Sequence, residues 1–221
     1  MSILDFIGPF TQAALVTVWI TLGASVLALI VAFAAGIGRL SPRGWIYWPT
    51  TVYVEFFRGT SCYVQLFWLY FTLPLFGIHL DAMLVGIITI GLNVGSFGSE
   101  VVRGAILAVP KGLTEASTAL NFSWYRRMRH VILPNAVVPM LPPLSNLMID
   151  LLKQTPLVSL IAIADLTFVA QLFRQQTGSA LQAFGGILIV YFLISTVIVA
   201  LFNALEKKLA KGLDGTRKAA S

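Results

Sequence analysis

Apolar residues fall in five long runs along this chain, with polar residues gathered between them: 10–38, about 60–78, 82–107, about 135–163 and about 179–205. Each run reaches the roughly 20 residues that a helix needs to cross the hydrocarbon core of a bilayer. The pattern predicts an all-α polytopic membrane protein with about five transmembrane helices, forming one transmembrane domain over 1–221. An odd number of spans puts the two termini on opposite sides. Residues 42–59 are amphipathic, and Trp45, Tyr47, Trp48 and Tyr53 suit a membrane interface, with Arg43 and Arg58 as anchors. The third run carries Gly91, Gly95 and Ser99 at small-xxx-small spacing, which fits packing inside one subunit as well as a dimer face. The fourth carries Pro134, Pro139, Pro142, Pro143 and Pro156, each removing a backbone donor, so little of it should face lipid.

Composition agrees with this reading: 57% of residues are hydrophobic and 11% charged. The net charge of +6 is a topology signal rather than a nucleic-acid footprint, because its residues lie in short loops. All but Lys153 and Arg174 of the 15 Lys and Arg residues fall in 39–59, 103–131 or the C-terminal tail. The positive-inside rule then sets the N-terminus outside and the C-terminus in the cytoplasm. The first ten residues hold Asp5 and no Lys or Arg, which does not fit a cleavable signal. The lone Cys62 excludes an internal disulfide and reads as a packing residue.

One polar stretch interrupts the pattern, GLTEASTALNFSWYRRMRHVILP over 112–134. It reads as two short helices joined by a corner. Thr114 is placed to cap the first and Glu115 to sit at its positive end. Asn121 is placed at a left-handed ending, and Ser123 to cap a second helix with Arg126, Arg127, Arg129 and His130 on a basic face. Such an elbow suits either docking by another protein or contact with anionic membrane lipid.

The polar residues inside the apolar runs are the second signal. Asn146, Asp150 and Gln154 recur at helical spacing, and Lys153 shares their broad face. An intramembrane charge costs roughly 2.5–3.5 kcal/mol on insertion scales, so these groups should pair or face a wet cavity. Two readings follow: a path for a zwitterion that needs both signs, or a structural pair. Gln65, Asn93 and Glu100 are further candidates, and Glu100 also stands three residues from Arg103. GxxxxGK(S/T), HExxH and GxSxG are absent, and His79 and His130 have no ligating neighbours. An enzyme, a metal site and ATP binding by this chain are therefore disfavoured. A passive channel lined by Asn146, Asp150 and Lys153 is the other function class open to the residues.

The elbow resembles the EAA loop of bacterial ABC-importer permeases, E-A-A followed by G and then I-x-L-P, with Ser117 for the second Ala and Asn121 for the Gly. Phe57-Arg58-Gly59-Thr60 with Val64-Gln65-Leu66-Phe67, and Leu152-Lys153-Gln154-Thr155 with Leu157, resemble the polar amino-acid permeases of that class. Arg58-Gly59-Thr60-Ser61, Leu92-Asn93-Val94-Gly95 and Ala164-Asp165-Leu166-Thr167-Phe168 are most similar to ectoine/hydroxyectoine permease subunits. The resemblance implies a type I ABC-importer permease fold. It implies a second permease subunit, two ATPase subunits that carry the ATP and Mg, and an extracytoplasmic solute-binding protein. It also implies that Glu115, Ala116, Ser117, Ala119, Leu120 and Asn121, within an elbow spanning 110–134, couple to the ATPase. Gln65, Asn93, Asn146, Asp150, Lys153 and Gln154 would line the solute path.

Overall fold

The computed structural model describes residues 4–218, with side-chain surroundings over 8–210. The side chains of Asp5, Lys211, Arg217 and Lys218, used above for topology, lie outside that range. The order is α1 (Leu4–Gly38), α2 (Gly44–Gly59), α3 (Cys62–Phe67), α4 (Ala82–Leu107), α5 (Lys111–Ala119), α6 (Trp124–Arg127), α7 (Leu133–Gln154), α8 (Leu166–Thr177) and α9 (Ala180–Lys218). No strand occurs among the described residues.

Among the described residues, four helices are long and apolar enough to cross a bilayer: Gly8–Gly38, Ala82–Leu107, Trp124–Ile161 and Ala180–Ala210. The expected fifth is shorter. Its run folds as α3, a π turn over Trp68–Thr72 and a 3-10 turn over Leu73–Phe76. Pro74 removes an N–H there, and Gly77 at φ 79° ends the helix.

The centre of the bundle is a parallel pair, α1 against α4, built from small residues. Ile20, Ala24, Ala28 and Ala32 form a buried stripe on α1. A Cβ at Gly98 would meet the Ala32 Cβ at 2.7 Å, and one at Gly95 the Val31 Cβ at 3.0 Å. The glycines of α4 thus serve packing within the chain. Cys62 is half-buried and packs beside this core. α7 closes the far side of α4, where Ile132, Ala136, Met140 and Leu144 meet Val102 and Ile106.

The proline-rich span is less broken than its sequence suggests. Pro134 comes just after a π turn over Met128–Ile132 and Pro156 opens the 3-10 segment Thr155–Ile161, so both fall where the helical bonding pattern changes. Pro139, Pro142 and Pro143 lie inside α7, which nevertheless runs to Gln154. α9 leaves Leu188, Phe192, Leu193, Val197 and Leu201 exposed, as a lipid-facing helix would.

Candidate functional site

The bend between α4 and α7 is built from local backbone chemistry. Pro110, with ψ 130°, turns the chain into α5, and the Leu113 N–H donates to the Pro110 carbonyl at 3.0 Å. The helix therefore starts at Lys111. Thr114 lies within it rather than capping it, and Glu115 sits at mid-helix instead of at the positive end. Proline fixes the turn four residues before Thr114, and Lys111, Gly112 and Leu113 extend the helix before Thr114 is reached.

The other end of α5 forms as predicted. Asn121 adopts a left-handed φ of 57°. The Phe122 N–H donates to Ser117 O at 3.0 Å and the Asn121 N–H to Thr118 O at 2.9 Å. These paired bonds make a Schellman ending, in which Asn tolerates the backbone that Gly usually takes. Ser117 is buried, and its Oγ donates to Thr114 O at 2.7 Å. Glu115, Ala116 and Ala119 point outward with Leu120, which is 71% exposed. Arg127 Nη1 donates to Thr118 Oγ1 at 2.9 Å and ties the two arms of the bend together.

Ser123 caps α6, its Oγ accepting from the Arg126 N–H. No second short helix is isolated there. α6 passes through a π turn over Met128–Ile132 straight into α7, so the second arm is the first stretch of one helix spanning Trp124–Ile161. Arg126 and Arg129 are exposed along it, and Arg129 donates to the Tyr125 hydroxyl at 3.1 Å.

Further along that helix, Asn146, Asp150 and Lys153 share a face that the bundle leaves open. Lys153 Nζ donates to Asp150 Oδ1 at 3.3 Å while both side chains stay more than half exposed. Gln154 is half-buried beside them, and its Oε1 completes no hydrogen bond. Gln65 and Asn93 form a separate, buried knot. Asn93 Nδ2 donates to Phe57 O at 3.0 Å and to Gln65 Oε1 at 3.3 Å, and Gln65 Nε2 donates to Thr60 Oγ1 at 2.6 Å. That knot locks α2, α3 and α4 together, with Gln65 at the edge of a cavity of about 460 Å³ lined by Phe56, Val64 and Trp68. None of its hydrogen bonds reaches Asp150 or Lys153 among the described residues.

A third polar assembly escapes sequence reasoning except in part. Glu100 pairs with Arg103 at 2.9 Å, as the spacing suggests, but also with Arg58 at 3.3 Å and with Arg39. Arg58 in turn lies 5.4 Å from the Phe97 ring centroid, a cation–π distance. Arg39 and Arg58 come from α1's C-terminal end and from α2, so no local pattern could pair them with α4.

These features are shared with known proteins. Residues 24–212 match the family described as binding-protein-dependent transport system inner membrane component. The chain belongs to that family. It is 39% identical over 213 residues to a probable amino-acid ABC transporter permease of Sinorhizobium fredii, covering 94% of this chain and 90% of the relative. It is 34% identical over 201 residues to the glutamine transport system permease of Escherichia coli, covering 90% and 91%. In three dimensions it is similar to a chain in the crystal structure of an amino acid ABC transporter with histidines, with a TM-score of 0.84, 27% identity and coverage of 94% and 100%. The methionine ABC transporter in an inward-facing conformation shares the fold, with a TM-score of 0.78 at 18% identity. This ABC-importer permease of the polar amino-acid group is thus a multi-pass inner-membrane protein of the type I permease fold, and a transport subunit rather than a catalytic one.

Proposed function

We propose that this permease moves a small zwitterion, a polar amino acid or an ectoine-like solute, into the cytoplasm by alternating access driven from its elbow. The observation that carries this reading is continuity. One helix runs from Trp124 at the bend to the Asp150–Lys153 pair and beyond. A push on the elbow is therefore carried along one helix, through its π turn, to the polar face. Asp150 and Lys153 offer the two signs that a zwitterion's ammonium and carboxylate require, with Asn146 and Gln154 as neutral hydrogen-bonding neighbours. Gln65 and Asn93 act on the path from behind, by fixing α2 and α3 against α4.

In the assembled importer two permeases pair, and an extracytoplasmic binding protein supplies solute. ATP and Mg are held by ATPase subunits, whose surface receives Glu115, Ala116, Ala119 and Leu120, while Ser117 and Asn121 shape the helix that presents them. The test is solute uptake and ATP hydrolysis by the full complex in vesicles. Glu115→Lys is expected to uncouple hydrolysis from uptake or to release the ATPase. Lys153→Ala should cut uptake at least tenfold while the ATPase stays docked, since tenfold corresponds to about 1.4 kcal/mol of lost solute interaction. Normal coupling in the first variant, or unchanged uptake in the second, defeats the corresponding half of the proposal. Uptake that needs no ATPase would make the chain a channel.

A further inference from the structure

At the end of the bundle opposite the elbow, α8 is anchored by a cluster of buried oxygens. The 3-10 segment Thr155–Ile161 ends in a left-handed turn at Ala162, φ 61°, and the chain enters α8 at Asp165. Asp165 caps that helix, its Oδ1 accepting from the Phe168 N–H at 2.9 Å. The Leu166 N–H donates to Thr17 Oγ1 on α1 at 3.2 Å. From α9, the Tyr191 hydroxyl lies 3.2 Å from Thr155 Oγ1, with the hydroxyls of Thr167 and Thr17 and the Asp165 carboxylate close by.

Two atoms of this cluster stand out. Asp165 is 0% exposed, yet its Oδ2 completes no hydrogen bond, and neither does the buried Thr167 Oγ1 next to it. Among the described residues no cation compensates the carboxylate. Within its described side chains α1 carries no ionisable group, and the 3-10 segment carries none. On α9 the facing titratable group is Tyr191, while Glu206, Lys207 and Lys208 lie at the far end. On α8 itself Arg174 is exposed, 5.8 Å from the Phe184 ring. Upstream, Lys153 is engaged with Asp150. An ionised carboxylate here is a buried charge with no cation beside it and only the Thr167 hydroxyl to turn towards Oδ2, whereas the neutral acid donates from Oδ2 to Thr167 Oγ1 and leaves no charge to bury.

We propose that Asp165 is a proton-binding site on the outer side of the membrane, and that gain or loss of its proton sets how firmly α8 docks on α1 and α9. The proton comes from external water and forms an O–H bond at Oδ2. Its loss leaves a buried charge that α8 relieves by lifting towards solvent. Burial pushes this carboxyl up to about 6 against the pull of the Phe168 and Thr167 N–H groups and of the Thr167 hydroxyl, within the pH range that an extracytoplasmic surface meets.

Hydrogen exchange of α8, followed by mass spectrometry on the full importer complex in lipid nanodiscs, tests the proposal. After correction for intrinsic exchange, α8 should open about tenfold more at pH 7.5 than at pH 5. Asp165→Asn, and as a second variant Asp165→Ser, keep a helix cap without a titrating group and should flatten that dependence to within about twofold. A wild type with no pH dependence, or variants that retain it, would overturn the assignment. Protection restored at pH 7.5 by sodium but not by choline would also overturn it, in favour of a metal cation.

Discussion

Glu100 lies beside Arg39 just past the C-terminal end of α1 and Asp165 beside Thr17 in its N-terminal half, and each is a carboxylate that the fold must stabilise. Glu100 remains partly open, with 26% of its side chain exposed, and gathers guanidinium groups from α1, α2 and α4. Asp165 is fully enclosed and receives the Phe168 N–H, with hydroxyls close by but, among the described residues, no cation. The first arrangement pairs its charge with three guanidinium groups and staples three helices together. The second can be neutral or charged, and each state favours a different packing of one helix. Ion pairing makes a fixed joint, while an enclosed acid without a counter-ion makes a conditional one.

The largest expected effect comes from breaking the fixed joint. Glu100→Ala leaves Arg39, which is only 12% exposed, with Glu55 at 3.6 Å as its remaining carboxylate and takes the shared partner from Arg58 and Arg103. Loss of one partner from a largely buried cluster costs on the order of 3 kcal/mol. Unfolding in mixed micelles should register it, and a change below about 0.5 kcal/mol would show that the arginines find water or lipid phosphate instead.

The conditional joint predicts a smaller effect with a definite sign. The folded state raises Asp165 from 3.8 to about 6, so it binds the proton more tightly than the unfolded chain does. That contribution is fully present below about pH 4 and is lost as pH rises through about 6, amounting to about 2 kcal/mol across the window. Comparison of wild type with Asp165→Asn in the same unfolding assay at pH 4 and pH 8 isolates it. A difference between the two proteins that does not change with pH would remove the contrast with Glu100.

The smallest effect on stability should come from the third carboxylate. Asp150 and Lys153 form an exposed pair within one helix, worth about 0.3 kcal/mol. Asp150→Asn should therefore leave unfolding almost unchanged while reducing uptake. A loss of stability above about 1 kcal/mol would recast the pair as a structural element.

Periodicity and residue type, read along the chain, were enough to predict the helical bundle, the ends of α4, the left-handed corner at Asn121, the Ser123 cap and the shared face of Asn146, Asp150 and Lys153. Each of these depends on neighbours within a few residues, where backbone geometry leaves few alternatives. The early start of α5 went unseen because Pro110 outranked Thr114 as the place to turn. The shortened second span was hidden because hydropathy does not register a π turn followed by a 3-10 turn. Only the tertiary structure decided that Arg39 and Arg58 converge on Glu100, that Gln65 and Asn93 bond to one another, and that Asp165 is enclosed by Thr17, Thr155 and Tyr191. Those partners are brought together by how whole helices cross, and the summed packing of many side chains sets that crossing.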